Sequence, residues 1–391
     1  MSWRSDFPVM VTDAHALGSL AAIRSLGRAG YPVVASANSA GAIGLHSRYV
    51  TKKRVAPSYR DPGFLDWLKQ TISQDGVKAI VPSEGCLHAL RPAFAQFQPL
   101  LPLPADEKKV YASLSKFDFF KELRQADHIP PTLLVGDGLR DPTKDELASL
   151  GDVVFAKFDA AYGRSGTEEN LVVRLPDRDS LEARLPQLLR QYRVGVLQGY
   201  CPGVGVGAFF LRWRGRILAE FMHRRIHEVP HTGGASSFRS AWFHAGILED
   251  ARRRLEALDW EGVAMVEYRW DPATDRFWLL ELNARFWGSL HLALFAGVDF
   301  PRLLMDAFFD RPETCGAFRR DVASRWTFPR EIEYVRSCMK DPALPLSRRL
   351  WPIVEFFLLG LDPRVHSDLM YPGDRALYLR AMRHSVAKFL S

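Results

Sequence analysis

Apolar positions in the first part of the chain switch between short unbroken runs and helical spacing. PVMVTD reads as a strand, and LGSLAAIRSLGRAG follows with Leu17, Leu20, Ile23 and Leu26 on one helical face and Gly30 as a stop. PVVASA is the next strand, and TKKRVAPS, the helix-like FLDWLKQTI and VKAIVPS continue the alternation. That order implies a parallel sheet with crossover helices. The first turn, TDAHALGS, lacks the G-x-G-x-x-G of a dinucleotide site, so the pattern predicts a Rossmann-like unit without nicotinamide or flavin. Glu84, in PSEGCLHAL, stands at a strand end where open α/β sheets bind ligands; an N-cap for the next helix explains it equally well.

A proline-rich joint, PLLPLPADEK, marks a domain boundary. Ser115 and Asp118 then predict a capping-box-like start to the helix SKFDFFKELRQADHIP, with Phe117, Phe120 and Leu123 on one face. Lys116 lies in the first turn, where the helix dipole disfavours a cation unless an anion is near; a solvated lysine is the plain alternative. In DVVFAKFDAAYGRSGT, Val153, Phe155 and Lys157 share a strand face, and a loop with Gly163, Ser165 and Gly166 follows. A lysine beside a glycine loop with free N–H groups suits a phosphate, although the spacing is not that of the P-loop. A snorkelling edge-strand lysine before an ordinary turn is the alternative.

VLQGYCPG reads as a strand end entering a loop, where Gln198, Gly199, Tyr200 and Cys201 could offer backbone hydrogen bonds to a flat ligand. Two further strands meet in a hairpin near Arg214 and Gly215. His227 to His231 spell H-E-x-x-H, but zinc-protease chemistry needs that pattern on a helix, and Pro230 breaks one there. The better reading is a cationic strand, His223, Arg224 and Arg225, feeding a mobile glycine loop, HTGGASS, able to close over a phosphate.

GVAMVEYRWDPATDRFWLLELNARFWG places acidic and amide side chains where a sheet wants apolar ones. Val263, Met265 and Glu267 share one strand face, and Phe277, Leu279, Glu281 and Asn283 share another. A hairpin across Asp271 to Arg276 sets Glu267 beside Glu281 with Asn283 next along, in one of two registers. Paired carboxylates resist burial without a cation, and oxygen-only ligands suit a hard ion such as Mg2+; two surface glutamates are the alternative.

Composition narrows the picture only a little. The 391 residues allow two or three domains, and 47% hydrophobic with 25% charged residues is ordinary for a globular protein. Four scattered cysteines without a C-x-x-C pair fit a reducing, cytoplasmic setting, and the N-terminal residues carry no secretory pattern. LWPIVEFFLLGL is too short to span a bilayer and contains Pro352 and Glu355. Of the net charge of +7, an excess of 5 lies between Arg319 and Ser391, with 13 Lys and Arg against 8 Asp and Glu. A nucleic acid, an anionic substrate or a membrane surface would each account for it.

Taken in order, these residues resemble the ATP-grasp superfamily of carboxylate–amine and carboxylate–thiol ligases, and within it the branch of predicted ATP-dependent carboligases with a similar HRR…TGG loop and an ending like ELN-x-RFWGS. The resemblance implies an α/β (α+β) fold: a Rossmann-like preceding domain over 1–104, an ATP-grasp domain of two α+β subdomains over 105–312, and a mostly helical basic extension over 313–391. It implies that Lys116 and Lys157 contact the phosphates of ATP and that Gln198, Gly199, Tyr200 and Cys201 meet the adenine edge. Glu267, Glu281 and Asn283 would hold Mg2+ (or Mn2+), and Arg285 would face the γ-phosphate with Arg224 and Arg225 as further clamps. The implied reaction activates a carboxylate as an acyl phosphate and joins it to an amine; small or peptidic substrates are expected, and no nucleic acid. Peripheral membrane or carrier association through the basic tail, and a homodimer, are compatible with it. Gly199 and Gly205 stand where the family usually has acidic residues, and Ala284 where many members have proline. A catalytically degenerate nucleotide-binding scaffold is the alternative.

Overall fold

The computed structural model describes residues 3–123 and 126–390, with 384–390 as backbone only. Arg124 and Gln125, which the sequence assigns to the Lys116 helix, lie outside the described residues. The chain divides into two compact units. One contains Met1–Ala105, Ala208–Met265 and Arg285–Ser391, and the other Asp106–Gly207 and Val266–Ala284. Two strands, Val204–Trp213 and Gly262–Trp270, pass from one unit into the other.

The larger unit opens with the expected alternation. Four parallel strands lie in the order Lys52–Val55, Val33–Ala37, Val9–Val11, Ala79–Val81, with Val9 opposite both Val33 and Ala79. The helix Leu17–Ala29 buries Leu17, Leu20, Ile23 and Leu26, and Gly30 ends it at φ +97°, donating its N–H to the Leu26 and Gly27 carbonyls. Only glycine takes that left-handed conformation without strain. Within the same helix Gly18 lies against the Trp287 carbonyl, which a Cβ would meet at 2.6 Å, so close packing explains a poor helix former there. Val9, Ile23 and Leu26 belong to one continuous core with Phe209, Leu211 and Phe221 of the second sheet and Leu290 and Leu304 of the helices Leu290–Phe295 and Phe300–Phe308.

That second sheet has seven strands, in the order Phe277–Asn283, Gly262–Trp270, Val204–Trp213, Arg216–Val229, Ala235–Ala241, Ala323–Arg325, Val365–Ser367. Its last two strands come from the region expected to be an extension. The extension is mainly helical, with Ile332–Lys340, Leu346–Leu358 and Ala376–Leu390, but it also completes the sheet. It supplies buried charge as well. Asp374 accepts from Arg24 Nε at 2.9 Å and Ser47 Oγ at 2.7 Å, and Asp368 pairs with Arg239. Arg24, Arg239, Asp368 and Asp374 are all buried, so each guanidinium depends on its carboxylate.

Of the H-E-x-x-H residues, His227 to Val229 end the strand Arg216–Val229 and Pro230 and His231 lie in the turn after it, not on a helix, and each histidine fastens the tail. His227 lies between Glu331 (Nδ1 to Oε2, 3.2 Å) and Glu355 (3.4 Å) and stacks on Tyr334. His231 meets Ser337 Oγ at 2.7 Å and Asp341 Oδ2 at 2.9 Å. The loop expected to be mobile is thus tethered to the helix Ile332–Lys340.

In the smaller unit four strands lie in the order Thr132–Gly136, Val194–Gly199, Val154–Phe158, Leu171–Leu175, all neighbours antiparallel. Val154, Ala156 and Phe158 turn into a core with Leu175, Leu181, Leu188 and Leu197. Strand alternation then sends Phe155 and Lys157 to the opposite face. The strand Val154–Phe158 is internal, so Lys157 is not an edge lysine. The second half of Gly262–Trp270 and Phe277–Asn283 are neighbours in the expected hairpin, closed by Asp271 N–H to the Arg276 carbonyl at 2.8 Å.

Candidate functional site

The helix Lys116–Leu123 begins where expected, but its cap is more elaborate than the sequence suggests. Ser115 Oγ accepts from Asp118 N–H at 3.0 Å, and the reciprocal half of a capping box is replaced: the Asp118 carboxylate accepts from the Tyr162 hydroxyl. Asp159, two residues past Lys157, reaches the same helix start and accepts from Phe117 N–H at 3.0 Å and Ser115 Oγ at 3.2 Å. A buried carboxylate at a helix N-terminus offsets the dipole that would otherwise disfavour Lys116. Burial pushes the Asp159 carboxyl up, against those hydrogen bonds and the Lys116 charge.

Lys116 Nζ lies 3.6 Å from Glu281 Oε2, and Asn283 Nδ2 donates to Glu281 Oε1 at 2.8 Å. Lys157 is 8% exposed, its ammonium 5.8 Å from the Phe120 ring centre and 3.4 Å from the Leu280 carbonyl. Burial lowers its pKa, Glu281 and Glu267 oppose that, and the charge of Lys116 reinforces it. Glu267 is also buried. Lys116, Lys157, Glu267, Glu281 and Asn283 therefore form one electrostatic neighbourhood within the smaller unit: two cations, two carboxylates and an amide. Among the described residues no group of three or more His, Cys, Asp or Glu converges as a metal site. The two carboxylates and the Asn283 amide oxygen are hard donors that fit Mg2+, whose remaining positions waters and phosphate oxygens fill.

The glycine loop after Lys157 has its own anion. The Glu168 carboxylate accepts from Ser165 N–H and Oγ and from Thr167 N–H, and the Ser165 bonds above all lower its pKa to about 2. The loop's amides thus face a carboxylate that an incoming phosphate would have to replace.

Gln198 to Cys201 occupy the end of the strand Val194–Gly199 and the residues after it. Gly199 N–H goes to the Pro131 carbonyl and Tyr200 N–H to that of Val153, so neither amide is left for a ligand. Gln198 Nε2 donates to Thr132 Oγ1 at 3.0 Å, while its buried Oε1 has no hydrogen-bond partner among the described residues. Tyr200 is half exposed and stacks with Phe155. A Cβ at Gly199 would meet the Leu150 carbonyl at 2.3 Å. Packing therefore explains the glycine. Gly199→Glu should not restore an acidic contact but lower stability by about 1–3 kcal/mol, measured by urea denaturation.

In the larger unit Arg285 pairs with Glu84, Nε to Oε2 at 3.0 Å. Ser83, not Glu84, caps the helix Glu84–Leu90 through Cys86 N–H. The N-cap explanation of Glu84 is replaced by this ion pair, which spans 201 positions and has no local signature. Arg225 bonds Glu228 and the Gly234 carbonyl, each at 3.1 Å, and Arg224 is exposed with Nε 3.4 Å from Ser240 Oγ. His223, on the same strand, is buried and shares a hydrogen bond with Ser289 Oγ, and burial lowers its pKa well below the ordinary histidine value.

The arrangement of these elements has known counterparts. The L-amino acid ligase from Bacillus licheniformis aligns over 81% of this chain and 78% of its own, at TM-score 0.59 and 16% identity. N5-carboxyaminoimidazole ribonucleotide synthetase from Thermus thermophilus aligns over 80% and 81%, at 0.59 and 19%. The fold is ATP-grasp. The Staphylococcus aureus N5-carboxyaminoimidazole synthetase complexed with ADP shares this ATP-grasp fold at TM-score 0.60, 15% identity and coverage of 81% and 80%. Residues 211–327 match a protein-family model described as ATP-grasp in the biosynthetic pathway with Ter operon. No curated protein sequence matches the chain.

Proposed function

We propose that this ATP-grasp protein is an ATP- and Mg2+-dependent ligase that joins a carboxylate to an amine. The observation that carries the reading is the grouping of Lys116 and Lys157 with Glu267, Glu281 and Asn283. An L-amino acid ligase and an ADP complex among the similar structures support the ligase and the nucleotide. Phosphoryl transfer asks a protein mainly for positioning and charge stabilisation, and no nucleophilic side chain is needed.

In the proposed reaction a substrate carboxylate oxygen attacks the γ-phosphorus, and the β,γ-bridging P–O bond breaks to release ADP. The amine nitrogen then attacks the acyl carbon of the acyl phosphate; the C–O bond to phosphate breaks, phosphate leaves, and the amine proton passes to water. Lys116 and Lys157 would neutralise the phosphates, and the unpartnered Gln198 Oε1 would accept from the adenine amine. Glu267, Glu281 and Asn283 would hold Mg2+, which when bound neutralises phosphate charge and polarises the transferred group. Arg285, Arg224 and Arg225 would bind the developing charge on the transferred phosphoryl group.

Mg2+-dependent ATP binding and ADP release across a pool of amino acids, with products read by mass spectrometry, tests the reading. Tight ATP binding without release under any mixture would leave the scaffold alternative standing. The buried lysine adds a pH test. Lys157 holds phosphate only while protonated, and its pKa lies below the ordinary lysine value of 10.5. As pH rises through that lowered pKa the charge is lost, so the alkaline fall in kcat/KM for ATP should begin earlier than an ordinary lysine gives. Lys157→Arg keeps its charge throughout and should remove that limb. An unchanged limb in the variant would acquit Lys157.

A further inference from the structure

The helix Leu346–Leu358 presents an unusual surface. Leu346, Leu350, Trp351, Val354, Phe357 and Leu358 are exposed, and Leu361 extends the row past the helix end; Phe357 is 67% and Leu361 80% exposed. At 3.6 residues per turn these positions fill roughly 140° of the circumference, one continuous stripe. The opposite face, with buried Pro352 and half-buried Ile353 and Phe356, rests on the protein. Single exposed apolar residues are common, but a contiguous stripe of seven large ones marks an interaction surface.

The charges around the stripe indicate what covers it. Every carboxylate of the flanking region has a side-chain partner and none is fully exposed: Glu331 and Glu355 share His227, Asp341 meets His231, Glu333 pairs with Arg330, and Asp362 with Arg364. Arg336, Lys340 and Arg348 have no carboxylate partner among the described residues and are exposed, while Arg349 is half-buried, donates to the Met339 carbonyl and lends its charge to Asp341. Arg348 falls about 60° beyond one border of the stripe, past Glu355 at about 40°, and Arg349 about 60° beyond the other. The exposed charges beside the apolar surface that lack a carboxylate partner, Arg336, Lys340 and Arg348, are therefore positive. A second copy docked stripe to stripe would bring these like charges together, whereas an anionic bilayer surface meets both the apolar face and its basic borders. Trp351 adds a side chain suited to the headgroup boundary. Among the described residues no helix is long and apolar enough to cross a membrane, so the contact is interfacial.

We infer that the stripe of the Leu346–Leu358 helix, with its arginine borders, is a docking surface for an anionic lipid interface. The full chain should co-sediment with phosphatidylcholine vesicles containing phosphatidylserine, bind vesicles of phosphatidylcholine alone much more weakly, and release in high salt. Phe357→Glu with Leu361→Glu should abolish the binding. Arg348→Glu should weaken it about fivefold or more, since each cation near such a surface contributes that much. ADP release should be unchanged in both, and circular dichroism should show an intact fold. Absence of binding to the anionic vesicles overturns the inference. Equal binding to both lipid mixtures, unmoved by Arg348→Glu, overturns it as well. A self-associated protein that Phe357→Glu splits into monomers would also overturn it, by assigning the stripe to a second copy.

Discussion

Glu281→Gln should reduce Mg2+-dependent ADP formation by on the order of 10²–10³-fold, the scale seen when one preorganised charge-stabilising group is lost. The substitution keeps the shape of the side chain and an oxygen for Asn283 Nδ2, which now lies 2.8 Å away. It removes the charge that faces Lys116 at 3.6 Å and that opposes the lowered pKa of Lys157. Under the ligase reading that charge is also a metal ligand, so the variant should need more Mg2+ for half-maximal rate. Because Glu281 is part-exposed, unfolding should be little affected. Turnover near the wild-type rate at ordinary Mg2+ would sink the metal assignment while leaving the ATP-grasp fold untouched.

A second large effect is expected far from that chemistry. Asp374→Ala should destabilise the protein by about 3–5 kcal/mol, because it leaves a buried guanidinium without its carboxylate. Arg24 is fully buried and bonds Asp374 at 2.9 Å and the Asp368 and Leu369 carbonyls at 2.6 and 3.0 Å. Burial lowers the Arg24 pKa, and Asp374 is the main group opposing it. Asp374 also holds Ser47 Oγ and the Arg48 N–H, so the loss reaches the connection before the strand Lys52–Val55. Replacing both partners, as in Arg24→Met with Asp374→Leu, should cost less than the single change, since no charge is stranded. Urea denaturation of the three variants measures this. A loss below about 1 kcal/mol in Asp374→Ala would show that water reaches Arg24 and that the pair is not what holds the tail.

The legible parts of the chain were those whose physics is local. Leu17, Leu20, Ile23 and Leu26 declare a helical face within ten residues, and Gly30 ends it in the only conformation that suits a glycine so well. The hairpin from Gly262 to Asn283 was equally readable, because alternation alone assigns Glu267, Glu281 and Asn283 to faces. Local patterns say nothing about partners far along the chain. Glu84 looks like a cap until Arg285 reaches it, and Asp159 looks like a loop residue until the Lys116 helix starts on it. His223 looks cationic in the run HRR until the sheet buries it. Gly199 looks like a lost acidic contact until the Leu150 carbonyl occupies the space a side chain would need. The H-E-x-x-H residues make the same point from the other side: a motif for one chemistry turns out to be two separate anchors for the tail.

The Arg24–Asp374 pair has a consequence for synthesis. Its two members are 350 positions apart. At about 5–20 residues per second the ribosome needs on the order of twenty seconds to a minute to bridge that interval. Throughout it, the first helix carries a charge that its native packing cannot yet accept. The early strands can pair, but that helix cannot settle into its final seat until Asp374 has been made. The buried charge of the first helix is thus matched only by a residue made long after it.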